Sequence, residues 1–154
     1  MLNEYHIQFL LHLLRHKVTF LVIGGQARWL LDASHRTSDL DVWVRLTGED
    51  IPALEPAIMA WGRQHPQHSN RNLVSPLGLR SGMQIVFPEN DGVWFIDRRG
   101  QPTEIGTKER IDILTSLGDL NFDECIKRAI PHTLWMGQLE RNVLSVPFNW
   151  RSHP

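Results

Sequence analysis

Apolar residues recur along this chain at two spacings, one typical of helices and the other of strands, so the pattern predicts a mixed fold. Residues three or four positions apart predict the helices, and continuous or alternating apolar runs predict the strands. The predicted helices are 3–16, a short one after Gly25, 50–64 and 121–130; the predicted strands are 19–23, 39–45, 83–87, 93–96, 110–114, 134–136 and 143–146. Together they predict a single α/β (α+β) domain over 1–154, with its core at about 18–146 around a mixed sheet.

The first predicted helix carries an apolar stripe of Ile7, Leu10, Leu11 and Leu14. Its opposite side is polar and includes His12, which this pattern places towards solvent. A second histidine follows one turn later, which is also a spacing of metal ligands, but the sequence places no third ligand beside the pair. We therefore interpret this side as a solvated helix face.

Composition narrows the class of protein. Sixteen basic and seventeen acidic residues nearly cancel, which argues against an extended basic surface for nucleic acid. The single Cys125 can form neither an intrachain disulfide nor a thiolate zinc cluster. Because no apolar run is long enough to span a bilayer or to act as a signal peptide, we expect a cytoplasmic protein without a membrane anchor.

Gly24 and Gly25 lie between the predicted strand 19–23 and the short helix after it. Two glycines at such a junction let the backbone approach a ligand closely, and the helix N-terminus directs N–H groups towards it. This arrangement suits phosphate, although a purely structural turn is the common alternative.

Asp39 and Asp41 are separated by one residue on the predicted strand 39–45, so both carboxylates project from the same face. Two like charges this close repel each other unless cations neutralise them. Mg²⁺ prefers oxygen ligands of this kind and often completes its shell with substrate phosphates. A solvent-exposed sheet face is the alternative interpretation.

Asp112 is an acid between two isoleucines in the predicted strand 110–114. A carboxylate in such an apolar strand costs free energy unless it is paired or bound to a metal. A salt bridge to an arginine is the structural alternative. The three acids and the two glycines are more specific as a set than any one of them.

The run Val22-Ile23-Gly24-Gly25, followed after thirteen residues by Asp39-Leu40-Asp41-Val42, resembles the signature of the nucleotidyltransferase superfamily (DNA polymerase beta-like). Two segments are also similar to parts of small bacterial members related to abortive-infection and toxin–antitoxin nucleotidyltransferases. The first is Arg36–Asp41, which overlaps the signature, and the second is Ile111–Leu117 with the helix to Ala129. The resemblance covers most of 18–146 and implies the nucleotidyltransferase fold.

The resemblance also implies a role for each matching residue. Asp39 and Asp41 would bridge two Mg²⁺ (or Mn²⁺) ions that hold a nucleoside triphosphate, and Asp112 would bind the catalytic metal near the acceptor hydroxyl. Gly24 and Gly25 would surround the β and γ phosphates. Arg36 is a further candidate phosphate ligand, with an exposed loop position as the alternative. The implied reaction is an in-line transfer of a nucleotidyl group, with pyrophosphate leaving, to a protein, an RNA end or a small molecule.

One departure from the family bears on activity. Small members usually continue after the final strand into a helical part, whereas here Ser145-Val146 is followed by Pro147 and the chain ends at Pro154. We expect that a homodimer or a partner protein completes the pocket, that the enzyme is minimal, or that its activity has decayed. The alternative function is a non-catalytic binding module, an antitoxin or a regulator of a partner chain. A metal-dependent phosphohydrolase is weaker, because no His–Asp cluster lies beside the acids.

Overall fold

A computed structural model of the chain describes residues 2, 4–32, 34, 39–47, 50–64, 84–87, 110–136 and 139–146. The helices are α1 (Glu4–Arg15), α2 (Gly24–Leu31), α3 (Asp50–Gln64) and α4 (Phe122–Ile126). The strands are β1 (Phe20–Ile23), β2 (Leu40–Val44), β3 (Gln84–Phe87), β4 (Ile111–Leu114), β5 (Ile130–Met136) and β6 (Leu139–Ser145). No helix in these described ranges is long and apolar enough to cross a membrane.

The strands form one six-stranded mixed sheet in the order β3-β4-β2-β1-β6-β5. β2 pairs in parallel with β4 and antiparallel with β1, so β2 lies between these two strands. β1 also pairs in parallel with β6, and antiparallel β3 and β5 close the two edges. The predicted mixed α/β class is thus confirmed. The predicted strand 93–96 lies outside the described residues.

Each face of the sheet buries its own apolar cluster. The first face packs against α1 and α3 and contains alternate residues of β2, such as Leu40 and Val42. The second face packs against α4, where Trp43 meets Phe122 edge-on at a centroid distance of 5.0 Å. Because side chains alternate along a strand, Asp41 lies on the second face, beside Trp43.

The buried side of α1 differs from the predicted stripe. Phe9, Leu10 and Leu13 are fully buried, and two histidines, His6 and His12, are buried with them. The interpretation of His12 as part of a solvated face was therefore wrong. α1 packs against α3 as well as the sheet, so its buried arc is wider than the one-sided stripe of a surface helix.

α1 ends in a left-handed residue that is not glycine. Lys17 has φ 57°. Its N–H donates to the carbonyl of Leu14 at 3.1 Å, and the N–H of Val18 donates to Leu13 at 3.0 Å. This pair of bonds is a Schellman motif, in which glycine is the usual residue at the position of Lys17.

An ion-pair cluster fixes the start of α3. Arg45, just after β2, donates through Nε to Asp50 at 2.9 Å and through a terminal nitrogen to Asp123 of α4 at 3.4 Å. Asp50 also accepts hydrogen bonds from the backbone and the hydroxyl of Thr47. Although burial raises the pKa of Asp50, the hydrogen bonds from Arg45 and Thr47 outweigh it and lower that pKa below its ordinary 3.8.

The ends of α4 and α2 show how far the local sequence pattern holds. Asn121 caps α4, its side chain accepting from the N–H of Glu124 at 3.0 Å. The helix does not continue to Ile130, however, but ends at Ile126, and Ile130 begins β5. Pro131 explains the difference, since the residue before a proline is disfavoured in a helix. Leu31, the last residue of α2, is half exposed.

Candidate active site

The junction between β1 and α2 requires glycine. Gly24 is buried and has φ 68°, a left-handed conformation that costs other residues roughly 1–2 kcal/mol. The N-cap residue, Ile23, makes no side-chain hydrogen bond to the helix. The first N–H groups of α2 therefore have no side-chain cap from Ile23, and uncapped N–H groups at a helix start suit an anion.

Asp41 and Asp112 lie side by side. They are direct Cα partners across the parallel strands β2 and β4, and Ile23 pairs with Asp41 on the other side. The junction at Gly24 and the two acids thus share one end of the sheet. Asp41 is 6% exposed and Asp112 is 1% exposed. Because two carboxylates on adjacent strands repel each other when both are ionised, a positive charge beside them is stabilising.

Asp39 immediately precedes β2 at the same end of the sheet and is half-buried. The next residue, Leu40, donates its N–H to the carbonyl of Arg110 at 3.0 Å, which aligns the chain before β2 with the chain before β4. Arg36, the predicted phosphate ligand, lies outside the described residues.

Arg110 supplies a positive charge to the acids. Its Nε donates to both carboxylate oxygens of Asp112, at 3.2 and 3.1 Å. Arg110 and Asp112 are two positions apart on an extended chain, so both side chains project from the same face. The salt bridge considered as the structural alternative for Asp112 is therefore present.

His6 of α1 holds the backbone beside this ion pair. Its Nε2 donates to the carbonyl of Arg110 at 3.2 Å, which requires the Nε2-protonated tautomer. Burial lowers the pKa of His6 to about 4; the bond to Arg110 opposes this shift and the nearby N-terminus adds to it. At neutral pH His6 is thus an uncharged donor that joins α1 to the start of β4.

The described carboxylates do not by themselves form a complete metal site. Across the described part of the chain, no three His, Cys, Asp or Glu side chains are gathered so that they could hold a metal ion. Mg²⁺, however, is commonly held by only one or two carboxylates, with phosphate oxygens and water filling the rest of its shell. The adjacent pair Asp41 and Asp112 meets that requirement, and both are oxygen donors of the kind Mg²⁺ and Mn²⁺ prefer.

Two residues at this site were missed by the sequence analysis. His6 lies four residues before Leu10 and seven before Leu13, so it shares their buried side, and that spacing could have identified it. Arg110 could have been found from its position two residues before Asp112 on the same strand face.

Compared with known proteins, the chain matches no family model, no curated protein and no solved structure. The resemblance to nucleotidyltransferases therefore stays a prediction from the motifs.

Proposed function

We propose that this protein is a cytoplasmic nucleotidyltransferase that moves a nucleotidyl group from a nucleoside triphosphate to an acceptor hydroxyl. The observation that carries the proposal is the pairing of Asp41 with Asp112 on adjacent parallel strands, both nearly inaccessible to solvent. Two acids side by side on one sheet face supply the adjacent carboxylate oxygens by which proteins commonly hold Mg²⁺ beside substrate phosphates. The left-handed Gly24 at the same end of the sheet supports a neighbouring phosphate site.

Each residue has a separate task in the proposed reaction. Asp39 and Asp41 would hold the cations that bind the triphosphate, and the turn at Gly24 and Gly25 would hold its outer phosphates through backbone N–H groups. Asp112, beside Asp41, would bind the cation near the acceptor hydroxyl and take up the proton of that hydroxyl. The acceptor oxygen forms a bond to the α-phosphorus while the bond from that phosphorus to the bridging oxygen breaks, and pyrophosphate leaves. Bound Mg²⁺ or Mn²⁺ would supply charge neutralisation of the triphosphate.

The test is the apparent stability of the protein with each of the four ribonucleoside triphosphates, with and without Mg²⁺ or Mn²⁺. A ligand that binds only the native state adds about 2.7 kcal/mol at a hundredfold excess over its Kd. We expect a metal-dependent gain in the wild type that Asp41→Asn abolishes. Asp119→Asn is the matched control, because this exposed acid lies after β4 and away from the pair. A gain that survives Asp41→Asn, or no gain with any nucleotide, contradicts the proposal.

The ion pair between Arg110 and Asp112 supports a second candidate, a non-catalytic module that binds a partner. In that case Asp112 is neutralised permanently and needs no cation. Transfer of label from α-³²P-labelled triphosphates to protein, RNA or small-molecule fractions separates the two candidates. Labelled product that the wild type forms and Asp41→Asn does not form favours the enzyme. The absence of labelled product with the wild type favours the module.

A further inference from the structure

Arg110 covers an otherwise buried carboxylate from the solvent side. The side chain of Asp112 is 1% exposed, whereas that of Arg110 is 41% exposed. The cation is thus the outer member of the pair, at the end of the sheet shared with Asp41 and Gly24. Any other cation that reaches Asp112 from this side meets the guanidinium of Arg110.

The contact between Arg110 and Asp112 is weaker than an arginine can make. A single N–H, that of Nε, is shared between the two oxygens at 3.2 and 3.1 Å. The strongest pairs use two parallel N–H groups, and charge-assisted bonds are usually about 2.7–2.9 Å long. The guanidinium of Arg110 is 41% exposed and can return to water, whereas the buried carboxylate of Asp112 needs a counter-charge at all times. The guanidinium can therefore leave Asp112 when another cation takes its place.

The backbone of Arg110 is held by hydrogen bonds that do not involve its side chain. Its carbonyl accepts from the N–H of Leu40 at 3.0 Å and from Nε2 of His6 at 3.2 Å. These two bonds hold the residue to β2 and to α1. A change of partner by the guanidinium therefore requires only rotation of the side chain, with no movement of the sheet.

We propose that Arg110 is an exchangeable counter-ion: it neutralises Asp112 in the metal-free protein, is displaced when a divalent cation binds, and then contacts the triphosphate. The inference rests on the proposed function of the same site. A guanidinium suits both partners, since its planar set of donors matches carboxylate and phosphate alike. Because Arg110 opposes a cation alone and favours a cation with triphosphate, the two ligands bind cooperatively.

The experiment measures Mn²⁺ binding by electron paramagnetic resonance and calorimetry, first alone and then with inorganic tripolyphosphate. Arg110→Gln removes the charge, and Arg128→Gln is the matched control on an exposed arginine after α4. We expect Arg110→Gln to bind Mn²⁺ alone more tightly, on the order of fivefold to tenfold, because repulsion by the guanidinium is gone. With Mn²⁺ present, its affinity for tripolyphosphate falls by on the order of tenfold.

The outcomes separate this inference from the proposed function. If Asp41→Asn abolishes Mn²⁺ binding but Arg110→Gln leaves it unchanged or weaker, the exchange is overturned and the metal site stands. If neither the wild type nor Arg110→Gln binds Mn²⁺, both proposals fail. If circular dichroism shows that Arg110→Gln does not fold, Arg110→Lys is tested in its place. It keeps the charge, so Mn²⁺ affinity stays the same and tripolyphosphate affinity falls; an unchanged tripolyphosphate affinity overturns the inference.

Discussion

Protonation of His6 should make this protein sensitive to mild acid. In the folded state burial lowers the pKa of His6 to about 4, whereas in the unfolded chain it titrates near 6.5. Between pH 4 and 6.5, His6 is mostly protonated in the unfolded chain and mostly neutral in the folded protein. Stability from this group is therefore complete above pH 6.5 and is lost progressively as pH falls towards 4. Because one pKa unit corresponds to about 1.36 kcal/mol, the full loss is about 3 kcal/mol, and at pH 5 it is about 2 kcal/mol.

The perturbation that tests this reasoning is His6→Gln. Glutamine keeps an N–H donor for the carbonyl of Arg110 but cannot be protonated in this range. The assay is urea unfolding at pH 7.5, 6 and 5, with the free energy of unfolding extrapolated to water at each pH. We expect the wild type to lose about 2 kcal/mol more than His6→Gln between pH 7.5 and 5.

The matched control is His16→Gln, a histidine on the turn after α1 with a partly exposed ring. It should keep the wild-type dependence on pH, because His6 is intact. Apart from the substituted histidine, the titrating groups are the same in all three proteins, so they cancel in the comparison. Parallel pH profiles for the wild type and His6→Gln would refute the reasoning, since they would mean that His6 takes up its proton equally in both states.

Three further substitutions test separate parts of the fold. Lys17→Gly should raise the free energy of unfolding by about 1 kcal/mol, because glycine adopts the left-handed conformation without strain. If urea denaturation shows a lower free energy of unfolding instead, the lysine side chain contributes more stability than its backbone conformation costs. Asn121→Ala should lower it by about 0.5–2 kcal/mol through loss of the cap, and an unchanged melting curve would contradict that role. Asp50→Asn should destabilise by about 1–3 kcal/mol at pH 7. Since the pKa of Asp50 is lowered on folding, the difference between wild type and variant should shrink as pH falls below 3.8, and a constant difference would contradict the ion pair.

The elements of the fold could be predicted where the sequence pattern is local. α3 spans the predicted 50–64, and β1 lies within the predicted 19–23, because apolar periodicity and β-branched runs act within a few residues. The buried side of α1 could not be read so directly. The width of its buried arc depends on packing against both α3 and the sheet, which no local pattern specifies.

Some features of the candidate site could likewise be predicted from the local sequence, and others could not. That Asp41 and Asp112 are acids in apolar strands is visible in the sequence, but their direct pairing depends on which strands become neighbours. Parallel strands are joined by long connections, so local periodicity does not reveal their partners. The pair Arg110 and Asp112, by contrast, follows from alternation along one strand and was available from the sequence.

The parallel pairing of β2 with β4 also has a kinetic consequence. Asp41 and Asp112 meet only after the long chain segment between these strands has been closed into a loop. For a loop of about seventy residues, closure costs on the order of 4 kcal/mol in chain entropy before any contact repays it. Such long-range pairing slows folding relative to local helix formation. The helices can therefore form early during folding, whereas the two carboxylates come together late, when the central strands close.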